Sequence, residues 1–300
     1  MTATPADQTR AALRDTESEP PRQSSRAWYR MLARDKFAIV SGAILLLIVL
    51  AVILAPALTE FDPEKAQSGK RLLGPSPEHW LGTDELGRDV LSRILHGGRI
   101  SLTIGFLAVG LGLGIGGTLG LSSAYFRRLD NLIMRVMDIL LALPGILLAI
   151  AIVAALGPGV YEVMIAVGIG SIPVFARVTR SAVLSTKAET YVEAAHSVGA
   201  RDSRIILRHI LPNSFAPVLV YATLQLATAI LSASILSFLG LGPQPPTPEW
   251  GAMVAAGRRY MTDTPHVVLA PGLAIFVVIL CFNILGDGLR DALDPSLHER

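Results

Sequence analysis

Three glycines, Gly112, Gly114 and Gly117, stand at the G-x-G-x-x-G spacing that cradles a pyrophosphate. Asp130 follows at nearly the interval of a ribose-binding acid. That chemistry needs a strand before the glycines and a helix after them. Here they lie inside one apolar run, Ser101–Ser123. Gly112, Gly116 and Gly120 recur every four residues, a small-residue stripe that lets two membrane helices approach closely, so the spacing points to packing. The nucleotide loop GxxxxGK[ST] is missing too, because Ser68-Gly69-Lys70-Arg71 lacks the upstream glycine and the following hydroxyl. The six histidines, His79, His96, His196, His209, His266 and His298, do not stand at ligand spacing from one another. The single cysteine, Cys281, sits in an apolar run and reads as a small packing residue. ATP, if it energises this chain, is bound by another.

The elements around these residues are membrane spans. The chain has 300 residues, 51% of them hydrophobic and 17% charged, with a mean hydropathy of +0.51. Soluble domains carry roughly 25% charged residues. A net charge of +2 gives no footprint for nucleic acid. The predicted fold class is an all-α polytopic membrane protein with six transmembrane helices. A polar, Arg-rich segment, 1–34, is expected as a flexible tail, with Trp28 and Tyr29 at headgroup level. Residues 35–58 form the first span. Ala55-Pro56-Ala57 mimics a signal-peptide cleavage site, but the apolar run is longer than the roughly 7–15 residues of a signal core. An external segment, 59–99, is expected to hold a short helix around Val90–Leu95 closed by Gly97-Gly98. The five-helix core, 100–289, has spans at Ser101–Ser123, Leu132–Leu156, Tyr161–Leu184, Ser214–Leu239 and Val267–Leu289. Pro144 and Pro173 interrupt two of them, and Arg177 and Arg180 are expected to snorkel at an interface. It includes a cytoplasmic loop, 185–213, and an external loop, 240–266, with an interfacial helix from Trp250 to Tyr260. Residues 290–300 form the C-terminus.

Lys and Arg set the orientation. With both termini inside, 18 of the 26 basic residues are cytoplasmic and 8 external. Polar side chains within spans are penalised by hydrocarbon, so Gln225, Thr228, Ser232, Ser234 and Asn283 are candidates for a translocation path, or for helix–helix hydrogen bonds.

The cytoplasmic stretch Tyr191–Asn213 is charged and split by Gly199. Thr186 is expected to cap a first helix that ends at Gly199 in a left-handed turn. Val192, Ala195 and Gly199 share a face of small residues, with Ala194 adjacent. A second helix should start at Asp202 or Ser203, carry Arg201, Arg204 and Arg208 along one side, and end at Pro212. Physically, this is either an amphipathic connector or a docking element for a cytoplasmic protein, and composition does not separate the two.

The segment resembles the signature loop of permease subunits of ABC importers: EAA, three residues, Gly, nine residues, Ile, any residue, Leu-Pro. Glu193-Ala194-Ala195, Gly199 and Leu211-Pro212 match at full spacing, while His209 replaces the Ile. The peptide branch has a similar His-Ile-Leu-Pro-Asn ending. Gly82-Thr83-Asp84-Glu85-Leu86-Gly87-Arg88-Asp89 resembles the external segment of dipeptide, oligopeptide and nickel importers. Two further stretches, RVMDILLALPGILLAI and LSFLGLGPQPPTPEWGAM, look like the same branch. The likeness covers roughly 34–295, and the length and N-terminal tail fit its second, C-type subunit. It implies a type I ABC importer-like permease in a bacterial inner membrane, with no catalytic residue, metal or cofactor of its own. The implied partners are a related permease, one or two ATPase subunits carrying ATP and magnesium, and an external solute-binding protein. Residues 191–198 become the coupling helix. Dipeptides, oligopeptides, nickel, glutathione and haem stay open as cargo. An ATPase-independent secondary transporter would need a mid-membrane carboxylate, for which Asp138 is the nearest candidate.

Overall fold

The computed structural model describes residues 31–33 and 35–293, so the tail expected over 1–34, including Trp28 and Tyr29, lies almost wholly outside the described residues, as does 294–300. The described residues are helical apart from loops and one isolated antiparallel bridge, Thr83 to Asp89. Helix α1 is Lys36–Ile53, followed by the short α2, Ala55–Leu58. Asp35 caps α1 by accepting from the amides of Phe37 (2.9 Å) and Ala38 (3.2 Å). Helices α3 (Val90–Tyr125), α4 (Arg127–Ala142), α5 (Gly145–Leu156) and α6 (Val160–Lys187) follow. The short α7 (Thr190–Ser197) and α8 (Asp202–Ile205) precede a π turn, Ile206–Ile210. After it come α9 (Leu211–Phe238), α10 (Trp250–Gly257) and α11 (His266–Leu293).

Among the described residues five helical stretches are long and apolar enough to span a bilayer. The sixth expected span, Leu132–Leu156, is instead two helices, α4 and α5, bent by 89°. Pro144 removes a backbone donor, Gly145 follows it, and both are exposed, so no neighbour holds the axis straight. Pro173 lies inside α6 without breaking it, because it is buried among packed helices.

The central pair is α3 against α6, and the glycine stripe makes it. A Cβ on Gly116 would lie 2.5 Å from the Ile172 carbonyl oxygen. One on Gly112 would strike Ser171, and one on Gly120 the Ala176 carbonyl. The three positions are therefore points of helix contact, as the spacing predicts. Helix α9 crosses this pair, and α11 joins α9 to α1. Cys281 is buried on α11 among apolar side chains.

Several local expectations are corrected. Gly97 and Gly98 do not end a short helix, because α3 runs unbroken from Val90 to Tyr125. They admit neighbours instead: a Cβ on Gly98 would lie 2.6 Å from Val52 and 2.9 Å from the Trp250 ring. On the helix expected at an interface, Trp250 turns inward, 1% exposed, its indole N–H donating to the Ile94 carbonyl at 2.9 Å. Arg177 and Arg180 each find a carboxylate partner. Arg177 donates to Asp138 at 2.6 Å, and Arg180 holds Asp130 with two bonds of 2.7 and 2.6 Å.

Candidate functional site

Helix α7 hangs between two long helices, following α6 after Lys187 and leading through α8 and the π turn into α9. Thr186 does not cap it. Its hydroxyl is still within α6 and donates to the Ala182 carbonyl at 2.9 Å, while Glu189 holds the cap position without a side-chain bond. The helix ends as predicted. Gly199 adopts φ +75, its N–H donates to the His196 carbonyl at 2.9 Å, and the Ala200 N–H donates to that of Ala195 at 3.1 Å. This pair of bonds is a Schellman closure, which needs a residue at ease in the left-handed region.

The face assignment changes. Val192 is fully buried, and Ala195 is half-buried beside it. They pack into a nest formed by Ala124 of α3, Val183 of α6, Ile205 of α8 and Ile210. The outward side carries Glu193, Ala194 and Gly199, together with Val198 at 83% exposure. Val198 escaped sequence reasoning, although an apolar residue just before a helix-closing glycine is a usable signal. Leu211 and Pro212 are exposed in the first turn of α9. Pro212 does not end the second helix: Asp202–Phe238 runs as one helical rod through the π turn. That turn shifts the backbone pairing by one residue just where Pro212 lacks an N–H. Nor does Asp202 cap that helix, whose cap position is Arg201. Its carboxylate accepts from the Tyr125 hydroxyl at 2.5 Å instead. Lys187 sits 5.0 Å above the Tyr125 ring and donates to the Ala124 and Tyr125 carbonyls at the end of α3. Tyr191 stacks obliquely on His209, ring centroids 6.2 Å apart, and its phenol is pushed up by burial and by Glu189. Arg201, Arg204 and Arg208 are exposed.

The motif at 82–89 builds the opposite end. Gly82 and Gly87 take φ +74 and +78. Thr83 is fully buried and accepts from the Leu73 N–H at 2.9 Å. Asp84 accepts from Arg88 Nε at 2.7 Å and faces Arg93 at 3.4 Å. Arg88 also reaches Glu85 at 3.2 Å. Asp89 caps α3 through the Ser92 N–H at 2.7 Å and faces His79 Nδ1 at 2.9 Å. These charges are buried but paired, which is the condition for tolerating them. Arg93 donates to the Pro63 and Pro246 carbonyls, joining the two loops. The fully buried Glu249 caps α10 and accepts from Ser101 of α3 at 3.0 Å. Lys70 pairs with Glu78 nearby and holds that carboxyl below its ordinary range.

The five polar residues proposed for a path separate. Thr228 is exposed on α9, in line with exposed Leu231, Ile235 and Phe238. Ser232 is half-buried, and Gln225 accepts from the Tyr221 hydroxyl at 3.0 Å. Asn283 is exposed and donates to its own helix at the Ile279 carbonyl. Ser234 is buried under α10, where a Cβ on Gly251 would lie 2.5 Å from its carbonyl oxygen. It borders the exposed stripe, lining a groove with Leu231, Ile235 and Phe238 that α10 covers at Gly251.

A bundle of spans with a short helix held outside one end and a braced loop cluster at the other defines a helical transport permease. The chain belongs to the family of binding-protein-dependent transport system inner membrane components, whose model matches residues 112–299. Residues 23–75 match the N-terminal transmembrane domain of oligopeptide transport permease C. The chain is 49% identical to the dipeptide transport system permease protein DppC of Alkalihalophilus pseudofirmus over 270 residues, 90% of this chain and 89% of that one. It is 49% identical to the glutathione transport system permease protein GsiD of Pectobacterium atrosepticum, over 91% of each. In fold it is similar to a chain of the MetNI methionine ABC transporter, at TM-score 0.56 and 18% identity, over 67% of this chain and 97% of that one. It is likewise similar to an amino acid ABC transporter chain, at TM-score 0.54 and 16% identity, over 66% of this chain and 92% of that one. The protein is therefore a multi-pass permease subunit of an ABC importer in an inner membrane. Its family implies ATPase and solute-binding-protein partners.

Proposed function

We propose that this chain is the second permease subunit of an ATP-driven importer of short peptides, dipeptides foremost. It would pair with a related permease and line half of the translocation path. The names of the dipeptide and glutathione permeases it resembles support that cargo class, since glutathione is itself a small peptide. Both termini, the 185–213 loop and α7 are cytoplasmic, as the 18-to-8 distribution of basic residues favours. The chain performs no covalent chemistry; ATP and magnesium are bound on one or two partner ATPase chains.

One observation carries the coupling role. Helix α7 is anchored by Val192 and Ala195 and presents Glu193, Ala194, Val198 and Gly199 outward. A cleft on an ATPase subunit seats this knob. Closure of the ATPases on ATP pulls the loops together and tips the spans from inward-open to outward-open, a population shift biased by ligand. Leu211 and Pro212 set the start of the span that receives the motion. A solute-binding protein then delivers cargo at the loop cluster built on Gly82, Thr83, Asp84, Gly87, Arg88 and Asp89. The carboxylate that a secondary transporter would use, Asp138, is engaged by Arg177.

Gly199→Asp tests the reading. The variant inserts in the membrane, but ATPase coupling and uptake are lost. Uptake that survives with normal ATPase stimulation overturns the coupling role.

A further inference from the structure

A cavity of about 540 Å³ opens where α9 ends, at the tip remote from α7. It lies between Phe238 and Leu239, the turn Arg258–Tyr260 that follows α10, and Glu85 of the loop motif. The volume falls within the roughly 300–1,000 Å³ of small-ligand sites. Its walls carry opposite charges that do not meet. Among the described residues neither Arg258 nor Arg259 makes an ion pair or a side-chain hydrogen bond. The guanidinium carbon of Arg258 lies 5.7 Å from the Phe238 ring centroid, a cation–π contact that steadies the group while its in-plane N–H donors stay without a partner among the described residues. Glu85 Oε1 is held by Arg88 at 3.2 Å, while its second oxygen has no partner among the described residues. The cavity also adjoins the exposed side of α9 that runs through Thr228, Leu231 and Ile235.

We infer that this cavity is a subsite for a short zwitterionic peptide at the mouth of the path. The Arg258–Arg259 pair takes the terminal carboxylate. The free oxygen of Glu85 takes the terminal ammonium, and Phe238 and Leu239 take an apolar side chain. An extended dipeptide spans about 7 Å, short enough to bridge the walls of such a cavity. A guanidinium matches a carboxylate in two-pronged geometry, and separated opposite charges select a ligand that carries both. The inference rests on the peptide reading above and adds where and how this chain would touch its cargo.

The test uses the assembled complex in lipid nanodiscs without its binding protein, and the photoreactive dipeptide alanyl-benzoylphenylalanine. Cross-links mapped by mass spectrometry are expected on Phe238–Gly240 or Tyr260. Dialanine competes, whereas dialanine amide and N-acetyl-dialanine do not. Arg258→Gln with Arg259→Gln lowers labelling about tenfold, the equivalent of one charged hydrogen-bonded contact. Co-purification of the ATPase verifies that the variant assembles. Glu85→Gln, which keeps an oxygen for Arg88, abolishes the discrimination against the acetylated peptide. Labelling elsewhere, equal competition by the amide, or labelling unaffected by the double substitution overturns the subsite. A complex that imports dialanine with ATP and binding protein but is never labelled loses the subsite and keeps the peptide reading. A labelled complex without such import keeps the subsite and loses that reading, and failure of both removes both.

Discussion

Arg180 on α6 grips Asp130 on α4 with both prongs of its guanidinium, at 2.7 and 2.6 Å, and Ser123 of α3 adds a third bond to the same carboxylate at 3.0 Å. Three helices thus meet at one acid. Asp130→Asn or Arg180→Gln should cost about 1 kcal/mol, since the pair is partly solvated. That corresponds to a fall of about 1–2 °C in the melting temperature of the detergent-solubilised complex. The charge-swapped double variant should recover part of the loss, and a swap no better than the single changes would show that the pair does not brace α4.

Gly116→Leu should prevent the close approach of α3 and α6. Its Cβ would already meet the Ile172 carbonyl at 2.5 Å, and overpacking costs about 1–3 kcal/mol. A methyl added at Gly114 would meet nothing within 4 Å, so Gly114→Ala should melt like the parent. Membrane abundance and thermal melting read both.

Val198→Glu should leave the fold intact, because the side chain points outward, yet weaken ATPase co-purification about tenfold by placing a charge at a desolvated contact. Gly199→Ala strains a left-handed residue by about 1 kcal/mol with open space around its Cβ, so its effect should fall between. Unchanged co-purification in Val198→Glu would place the ATPase contact elsewhere.

Glu249→Ala should destabilise by about 2–3 kcal/mol, because the buried carboxylate accepts from Ser101, Gly251 and Ala252. Trp250→Phe removes a single bond to Ile94 and should cost about 1 kcal/mol. Denaturation of the purified complex measures both, with the larger loss expected at Glu249.

In a Cys281→Ala background, Thr228→Cys should react with a charged, water-soluble thiol reagent, and Ser234→Cys should not. The outcome assigns the path to the exposed side of α9. The opposite pattern would move it under α10.

Much of this molecule is legible in its sequence. Apolar runs longer than a bilayer is thick locate the spans, and Gly199 announces the end of α7. The α3–α6 contact follows from the spacing of Gly112, Gly116 and Gly120. The 89° break at Leu143–Pro144 is hard to read, because the residues flanking it, Ile139–Leu143 and Ile146–Ile150, are apolar on both sides and Pro173 in a like setting leaves its helix whole. What differs is burial, a tertiary property. The ion pairs are hidden for the same reason: Arg177 and Asp138 are 39 residues apart, and each alone reads as a surface charge. The outward and inward sides of α7 are hidden because eight residues make barely two turns, so small side chains around the helix give no periodic contrast.

Helix α3 begins at the Asp89 cap within the paired-charge cluster and ends at Ala124 and Tyr125 beside the nest that holds α7. Its 36 residues make a rod about 54 Å long. A rod that pivots about its middle displaces its two ends in opposite senses, and a tilt of about 10° carries each end about 5 Å. The Gly116 contact with α6 lies off-centre, about 15 Å from the α7 end and about 40 Å from the other. A pivot within the stripe of Gly112, Gly116 and Gly120 would give the short arm force and the long arm travel, so a small displacement at the nest would become a larger one at the loops.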